Sequence, residues 1–194
     1  MSKKRGVKRR KISRYIVLGI AFVIFIFFTS RFPPVQKILY PYPHRATIEK
    51  YAKEYGVDPL LVISVMREES KFLPRSESHK GAKGLMQLMP ETAKWIAQNM
   101  GEKGYSEADL LNPEKNIQFG TWYLANLENE FSGNIILVIA AYNGGRGHVK
   151  EWIQTEQIDP GDVQSSGIPF QETRQYVERV LQSYQKYIML YRNT

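Results

Sequence analysis

Apolar and polar positions along the chain fall into two regimes. Residues 16–28 carry no polar side chain. From residue 44 onward, apolar residues instead recur at helical spacing between Gly, Pro and Asn punctuation. The pattern predicts helices over 45–55 and 58–70, the second opened by Asp58 as N-cap and Pro59 at the first helical position. A third helix runs from Pro90 to near Gly101. A fourth starts at Asn112-Pro113, carries Ile117, Phe119, Trp122, Leu124 and Leu127, and stops at Gly133. Asn134 opens a fifth over 135–141, a sixth covers about 149–155, and the last spans about 170–191 with Val177, Val180, Leu181, Tyr184 and Ile188 on one stripe. Residues 156–167 read as a surface loop. No alternating strand pattern of useful length occurs, and only 135–139 is ambiguous. The expectation is an all-α domain, and about 150 residues suffice for one hydrophobic core.

The second helix carries candidate chemistry. From Leu60 to Met66 only Ser64 is polar, and a helix apolar nearly all round is buried. Pro74 is expected to end the segment, because a residue before proline is pushed out of the helical region. Glu68 and Glu69 then lie in the last turn. Burial and the negative end of the helix dipole both disfavour a carboxylate there, which raises its pKa. A glutamic acid protonated near neutral pH can give a proton to a leaving oxygen. Glu69 has apolar Val65 and Met66 four and three positions before it, whereas Glu68 has Ser64 and Val65. Helical neighbours at those spacings share a face, which favours Glu69 as the desolvated acid. Two solvated carboxylates at an ordinary helix end is the competing reading. Beyond them, Gly81 and Gly84 allow positive φ or close backbone approach. Gln87, wedged between Met86 and Leu88, is a candidate hydrogen-bonding group for a cleft.

The net charge of +8 invites a nucleic-acid reading, and its location removes it. Residues 1–14 hold eight Lys or Arg and no acid, and Arg31 adds one more; residues 32–194 keep 18 basic against 19 acidic residues, a net charge of −1. A nucleic-acid footprint belongs on the folded domain, which here is near neutral. The tail precedes the apolar run. Residues 15–30 form a segment of roughly 24 Å as a helix, slightly short of a ~30 Å hydrocarbon core, and Arg14 and Arg31 can snorkel. A cleaved signal peptide is the rival, but the residues after Phe28 make a poor small-residue cleavage site. The expected layout is a basic cytoplasmic tail (1–14), an uncleaved transmembrane signal anchor (15–30), a stiff, extended Pro-rich linker (31–43) and an exported domain (44–194). Cysteine is absent, which excludes disulfides, a lipid-modified cysteine anchor and thiolate catalysis.

Several short blocks together identify a family resemblance. They are Glu69-Ser70-x-Phe72-x-Pro74, then Ser78-x-x-Gly81-Ala82-x-Gly84-Leu85-Met86-Gln87-Leu88-Met89-Pro90-x-Thr92-Ala93, then Ala140-Ala141-Tyr142-Asn143-Gly144-Gly145, then Ile168-Pro169-x-x-Glu172-Thr173-x-x-Tyr176-Val177. In this order, over roughly 44–192, they resemble the catalytic domain of soluble-lytic-transglycosylase-type enzymes, which cleave peptidoglycan on a lysozyme-like helical fold. Gly144 departs from the pattern, where the family usually has Ala.

The resemblance implies a role for each matched residue. Glu69 aligns with the single acid/base, which protonates the glycosidic oxygen and then takes the proton of the sugar's own C6 hydroxyl as it attacks C1 of N-acetylmuramic acid, the neighbouring N-acetyl group assisting. The product carries a 1,6-anhydro end. Ser78, Gln87, Tyr142 and Asn143 are expected to hydrogen-bond or orient sugar, Met86 to wall the cleft, and Tyr176 to bring its hydroxyl near Glu69 and substrate. Most glycosidases flank the bond with two carboxylates, and Glu68, Glu77, Glu91 and Glu172 supply no obvious partner. His44, His79 and His148 lack metal-ligand spacing, so neither metal nor cofactor is expected. The expected partners are peptidoglycan glycan strands and the bacterial cytoplasmic membrane, with no nucleic acid. A lysozyme-type hydrolase on the same fold and a non-catalytic peptidoglycan-binding component of a wall-spanning apparatus are the alternatives; the presence of Glu69 counts against the second.

Overall fold

The computed structural model describes residues 32–192 together with Gly19, Ile20 and Phe22. The predicted tail (1–14) and nearly all of the predicted anchor (15–30) lie outside the described residues. Among the described residues no helix is long and apolar enough to cross a membrane. The chain divides into two compact units, residues 1–41 and 42–194. In the first, Pro33–Leu39 forms a short helix, α1, where an extended strap is expected from the prolines. Pro33 and Pro34 open this helix, at positions whose N–H groups have no partner inside a helix, so their missing donors cost it nothing.

The second unit holds α2 (Arg45–Tyr55), α3 (Pro59–Ser70), α4 (Pro90–Asn99), α5 (Pro113–Glu130), α6 (Ile135–Gly144), α7 (Arg146–Gln154) and α8 (Gln171–Tyr191), with short 3-10 turns at Glu107–Leu111 and Ser165–Gly167. Strand character among the described residues is limited to isolated bridges pairing Lys83 with Glu77 and with Leu88. The ambiguous run 135–139 is helical, because Asn134 caps it by accepting from the N–H groups of Ile136 and Leu137. α7 begins earlier than expected. Gly145, at φ 91°, breaks the chain for a single residue, and Gly147 is absorbed into the new helix.

α3 is the centre of the core. Leu60, Leu61, Val62, Ile63, Val65 and Met66 are all buried, with Ile63 at 0% exposure. Ser64, the one polar residue in that run, donates to the Leu60 carbonyl at 2.5 Å and so is satisfied. α8 packs against α3 and α6, while α2 packs against α3 and α5. The buried face of α8 (Thr173, Tyr176, Val177, Val180, Ser183, Tyr187 and Leu190) has the three-and-four spacing of an amphipathic helix. Truncating a residue such as Ile63 to Ala would cost ~2–5 kcal/mol. The start of α3 is also tied to α8: Asp58 caps Leu60 N–H at 2.8 Å and accepts from Tyr184 and Arg192 at 2.7 and 2.6 Å.

Candidate active site

α3 stops at Ser70, where the pattern predicts its end, four residues before Pro74. Lys71 and Phe72 both adopt left-handed backbone, at φ 50° and 67°, and the Ser70 hydroxyl accepts from Phe72 N–H at 3.1 Å. This turn leaves Glu69 on the last helical turn with its side chain toward α8. The Tyr176 hydroxyl donates to Glu69 Oε1 at 2.5 Å. Burial, with a smaller contribution from the Glu68 charge, pushes the Glu69 carboxyl up to about 7 despite the opposing pull of Tyr176, Arg179 and Lys71.

Glu68 is shielded too, with a side chain only 6% exposed. The helix-face argument therefore separates the two glutamates for an incomplete reason. They differ in partners. Glu68 accepts from Ser183 at 2.8 Å and from Lys71 at 2.7 Å, with Arg179 at 3.6 Å and Arg67 at 3.8 Å. Burial alone would raise its carboxyl; the Lys71 and Ser183 hydrogen bonds and the Lys71 and Arg67 charges outweigh it and hold the group below the ordinary carboxylate range.

Two tyrosines close the site. Tyr176 is 3% exposed, and the Tyr142 hydroxyl donates to the Met86 carbonyl at 2.8 Å. Burial first, then the nearby Glu69 charge, raises both phenols well above their ordinary value, so both stay donors.

The glycine loop is locked from beneath. Gly84 lies at φ 81°, and a Cβ there would fall 2.2 Å from the Leu110 carbonyl oxygen and 2.3 Å from Asn116 Nδ2. Asn116 is fully buried and donates to the Lys83 and Leu110 carbonyls at 3.0 and 2.9 Å while accepting from Met86 N–H at 2.7 Å. Its role escaped the sequence reading, although one signal was present: an Asn on the apolar stripe of α5, beside Ile117. Ser78 accepts from Ala82 N–H at 3.0 Å, and Gln87 donates to the Ser76 and Gly84 carbonyls at 3.0 and 2.8 Å. Both therefore brace the loop with the groups assigned above to sugar. The Met86 side chain is fully buried against Gly120, where a Cβ would stand 2.3 Å from its sulfur; Met86 reaches the site through its carbonyl. Asn143 is half-buried beside Tyr142. Gly144 faces buried Thr173, whose Oγ1 would lie 2.9 Å from a Cβ at that position, so the departure from Ala matches a close approach of α8. Among the described residues no group of three or more His, Cys, Asp or Glu could hold a metal ion.

The family model described as "Transglycosylase SLT domain" matches residues 46–164. The chain belongs to this family. The matched span contains Glu69, the glycine loop and the Tyr142-Asn143 segment, and stops short of α8. The soluble lytic murein transglycosylase of Escherichia coli K12 is 37% identical over 155 residues, covering 77% of this chain and 24% of that protein. The membrane-bound lytic murein transglycosylase C of Edwardsiella ictaluri is 36% identical over 161 residues, covering 72% of this chain and 45% of that protein. The chain thus spans less than half the length of either relative. The structure of an inactive mutant of the lytic transglycosylase Slt of Pseudomonas aeruginosa superposes with a TM-score of 0.70 at 33% identity, over 85% of this chain and 29% of that one. The SLT-domain fold is therefore carried by this chain on 42–194, with α8 delivering Tyr176 to Glu69.

Proposed function

We propose that this SLT-domain chain is a membrane-anchored lytic transglycosylase that cleaves the β-1,4 bond between N-acetylmuramic acid and N-acetylglucosamine in peptidoglycan. The observation that carries the reading is the state of Glu69: a shielded carboxyl raised to about 7 and oriented by a tyrosine hydroxyl at 2.5 Å. A group of that pKa is substantially protonated at neutral pH and is matched to proton donation. Glu69 gives its proton to the glycosidic oxygen as the C1–O bond breaks. The C6 hydroxyl of the muramic residue then forms a bond to C1 and yields its proton to the Glu69 carboxylate. The acid is restored, no water is consumed, and the new end is a 1,6-anhydro sugar. Tyr176 stabilises the carboxylate between the two steps.

The pairing of the neighbouring carboxylate supports this single-acid route. Glu68, its immediate neighbour, is committed to Ser183, Lys71, Arg67 and Arg179. The names of the relatives agree, and the inactive Pseudomonas mutant carries glutamine in place of a glutamate. Residues 15–30 are the anchor in this reading, and the membrane-bound relative gives it a precedent.

Mass analysis of products from purified peptidoglycan tests the chemistry. Fragments ending in anhydro-muramic acid are expected, each lighter by one water than a reducing end. Reducing ends would instead make the chain a lysozyme-type hydrolase, and binding without release would make it a scaffold. Protease protection of membrane vesicles tests the anchor: the domain is expected to be cleaved from outside while the basic tail stays shielded.

A further inference from the structure

α1 exposes apolar side chains that its sequence gathers on one face. At about 100° per residue, Pro34, Val35, Ile38 and Leu39 fall within an arc of about 140°, and Gln36 and Lys37 lie on the opposite side. Phe32, just before the helix, is 60% exposed, Ile38 77% and Leu39 54%. Single exposed apolar residues are ordinary, but three large ones within eight positions, on a helix with an apolar face, mark a contact surface. A helix of seven residues is also marginal in water by itself. A surface that covers this face would stabilise the helix as well.

Position along the chain says what that surface is. The segment read above as the anchor ends at Ser30, and Pro33 opens α1. The three residue steps between them span at most about 11 Å, while the headgroup layer on each side of a bilayer is ~5–8 Å deep. The segment is roughly 24 Å long as a helix against a ~30 Å core, so in that reading Ser30 lies at the hydrocarbon edge or below it. We propose that α1 lies flat in the lipid–water interface on the outer face of the cytoplasmic membrane, with Pro34, Val35, Ile38 and Leu39 among the lipids and Gln36 and Lys37 toward water. The proposal rests on the reading of residues 15–30 as an uncleaved anchor. Interfacial helices sink their apolar face about 5–10 Å into this boundary, and Tyr40, which ends α1, is a residue type enriched at that depth. Seven residues alone offer lipid little apolar area. The anchor has already delivered them to the surface, however, so their effective concentration there is high. A second copy of the chain is the other apolar cover. A face on a helix about 10 Å long falls well short of the ~800 Å² per partner of a stable interface. Only Tyr40 and Pro41 follow α1 before the second unit begins. The proline-rich segment is then a fastening along the lipid surface rather than a free tether.

The chain has no cysteine, so one introduced cysteine is a unique labelling site. Full-length chains carrying Ile38→Cys, Gln36→Cys or Lys37→Cys, each with an environment-sensitive fluorophore, are reconstituted into phosphatidylcholine vesicles with iodide on both sides of the membrane. At position 38 the emission is expected to shift to the blue, to be quenched by brominated lipid and to lose its quenching by iodide. At 36 and 37 iodide should quench and brominated lipid should not. Adding Leu39→Glu to the Ile38→Cys chain should restore iodide quenching at 38. Chains that float with the vesicles but show equal iodide quenching at all three positions would overturn the proposal and leave the anchor in place. Protection at 38 that fades as the chain is diluted in lipid would also overturn it, in favour of a second copy. Chains that do not float with the vesicles would overturn the anchor and the placement of α1 with it. Bond cleavage plays no part in these readouts, so they stand apart from the transglycosylase reading.

Discussion

α3 ends in two adjacent carboxylates that face the same helix and come to opposite states. Glu69 meets one neutral hydroxyl, from Tyr176, and is pushed up to about 7. Glu68 meets a hydroxyl and three cations and is held below the ordinary range. Both are shielded, so burial alone does not make an acid. What separates them is the deeper burial of Glu69 together with the compensating charge that α8 and the turn after α3 supply chiefly to Glu68. The two states also support each other: the fixed negative charge of Glu68 helps keep Glu69 protonated, and Glu68 draws Arg179 and Lys71 onto itself, tempering their pull on Glu69.

Glu69→Gln should have the largest effect, and it acts on one side of the comparison only. Glutamine can still accept from Tyr176 but cannot give the proton, so release of anhydro ends from peptidoglycan should fall about 10³-fold or more. Stability should move the other way. The folded carboxyl titrates at about 7 against 4.5 for an unperturbed one, so between those values the folded state binds more proton than the unfolded state. Stability is therefore lost as pH rises through that window. The glutamine variant escapes this loss. Its melting temperature should match the wild type near about pH 5 and exceed it near about pH 8. A difference that stays constant with pH would mean that Glu69 is not a desolvated acid. In the wild type, cleavage should decline as pH rises past about 7, when the acid form is lost.

Tyr176→Phe comes next. It removes the hydroxyl that donates to the Glu69 carboxylate. The pKa of Glu69 then rises further, and the high-pH limb of activity moves to higher pH. The rate at the optimum should nevertheless fall by roughly 10- to 100-fold, the range for a hydrogen bond to a charged group. A pH–rate profile measures both. A limb that moves to lower pH would show that the tyrosine favours the neutral acid.

Much of this architecture is legible in local pattern. Asp58-Pro59 announces α3, and the apolar run behind it announces burial. Val65 and Met66 point to Glu69. Two of the four partners of Glu68 are not legible in the same way, because Ser183 and Arg179 lie more than a hundred positions away and reach it only once α8 has docked. The same limit explains the loop. Gly84 reads as a generic glycine until Asn116 and the Leu110 carbonyl are seen to occupy the space of its Cβ. Gln87 reads as a free amide because the Ser76 and Gly84 carbonyls that claim it belong to a fold-back with no strand pattern. The prolines of α1 failed for a different reason. Two prolines at a helix start and two in an extended strap look alike in composition, and only their position within the helix separates them.

Glu68→Gln erases the contrast from the other side. The shape and the Ser183 contact survive, while Lys71, Arg67 and Arg179 lose their common anion. The fold should weaken by ~1–3 kcal/mol. Glu69 also loses the negative neighbour that raises it, so its pKa falls and the high-pH limb moves to lower pH, by less than about one unit. This is opposite in sign to Tyr176→Phe, so the pair of profiles tests the electrostatic account more sharply than either alone. A merely structural role for Glu68 would lower stability and leave the limb where it was.

Ser183→Ala is the smallest perturbation and isolates geometry from charge. It takes from Glu68 one hydrogen bond of 2.8 Å and leaves all three cations in place. Glu68 stays ionised, so the field it exerts on Glu69 is unchanged and the pH–rate limb should not move. Stability should drop by only ~1 kcal/mol, the worth of a single hydrogen bond whose acceptor keeps other partners. Denaturant unfolding reads the stability and the pH profile reads the limb. A shifted limb with intact cations would mean that Ser183 sets the register of α8, and with it the distance from the Tyr176 hydroxyl to Glu69. In that case the difference between the two glutamates would come from helix docking rather than from local charge.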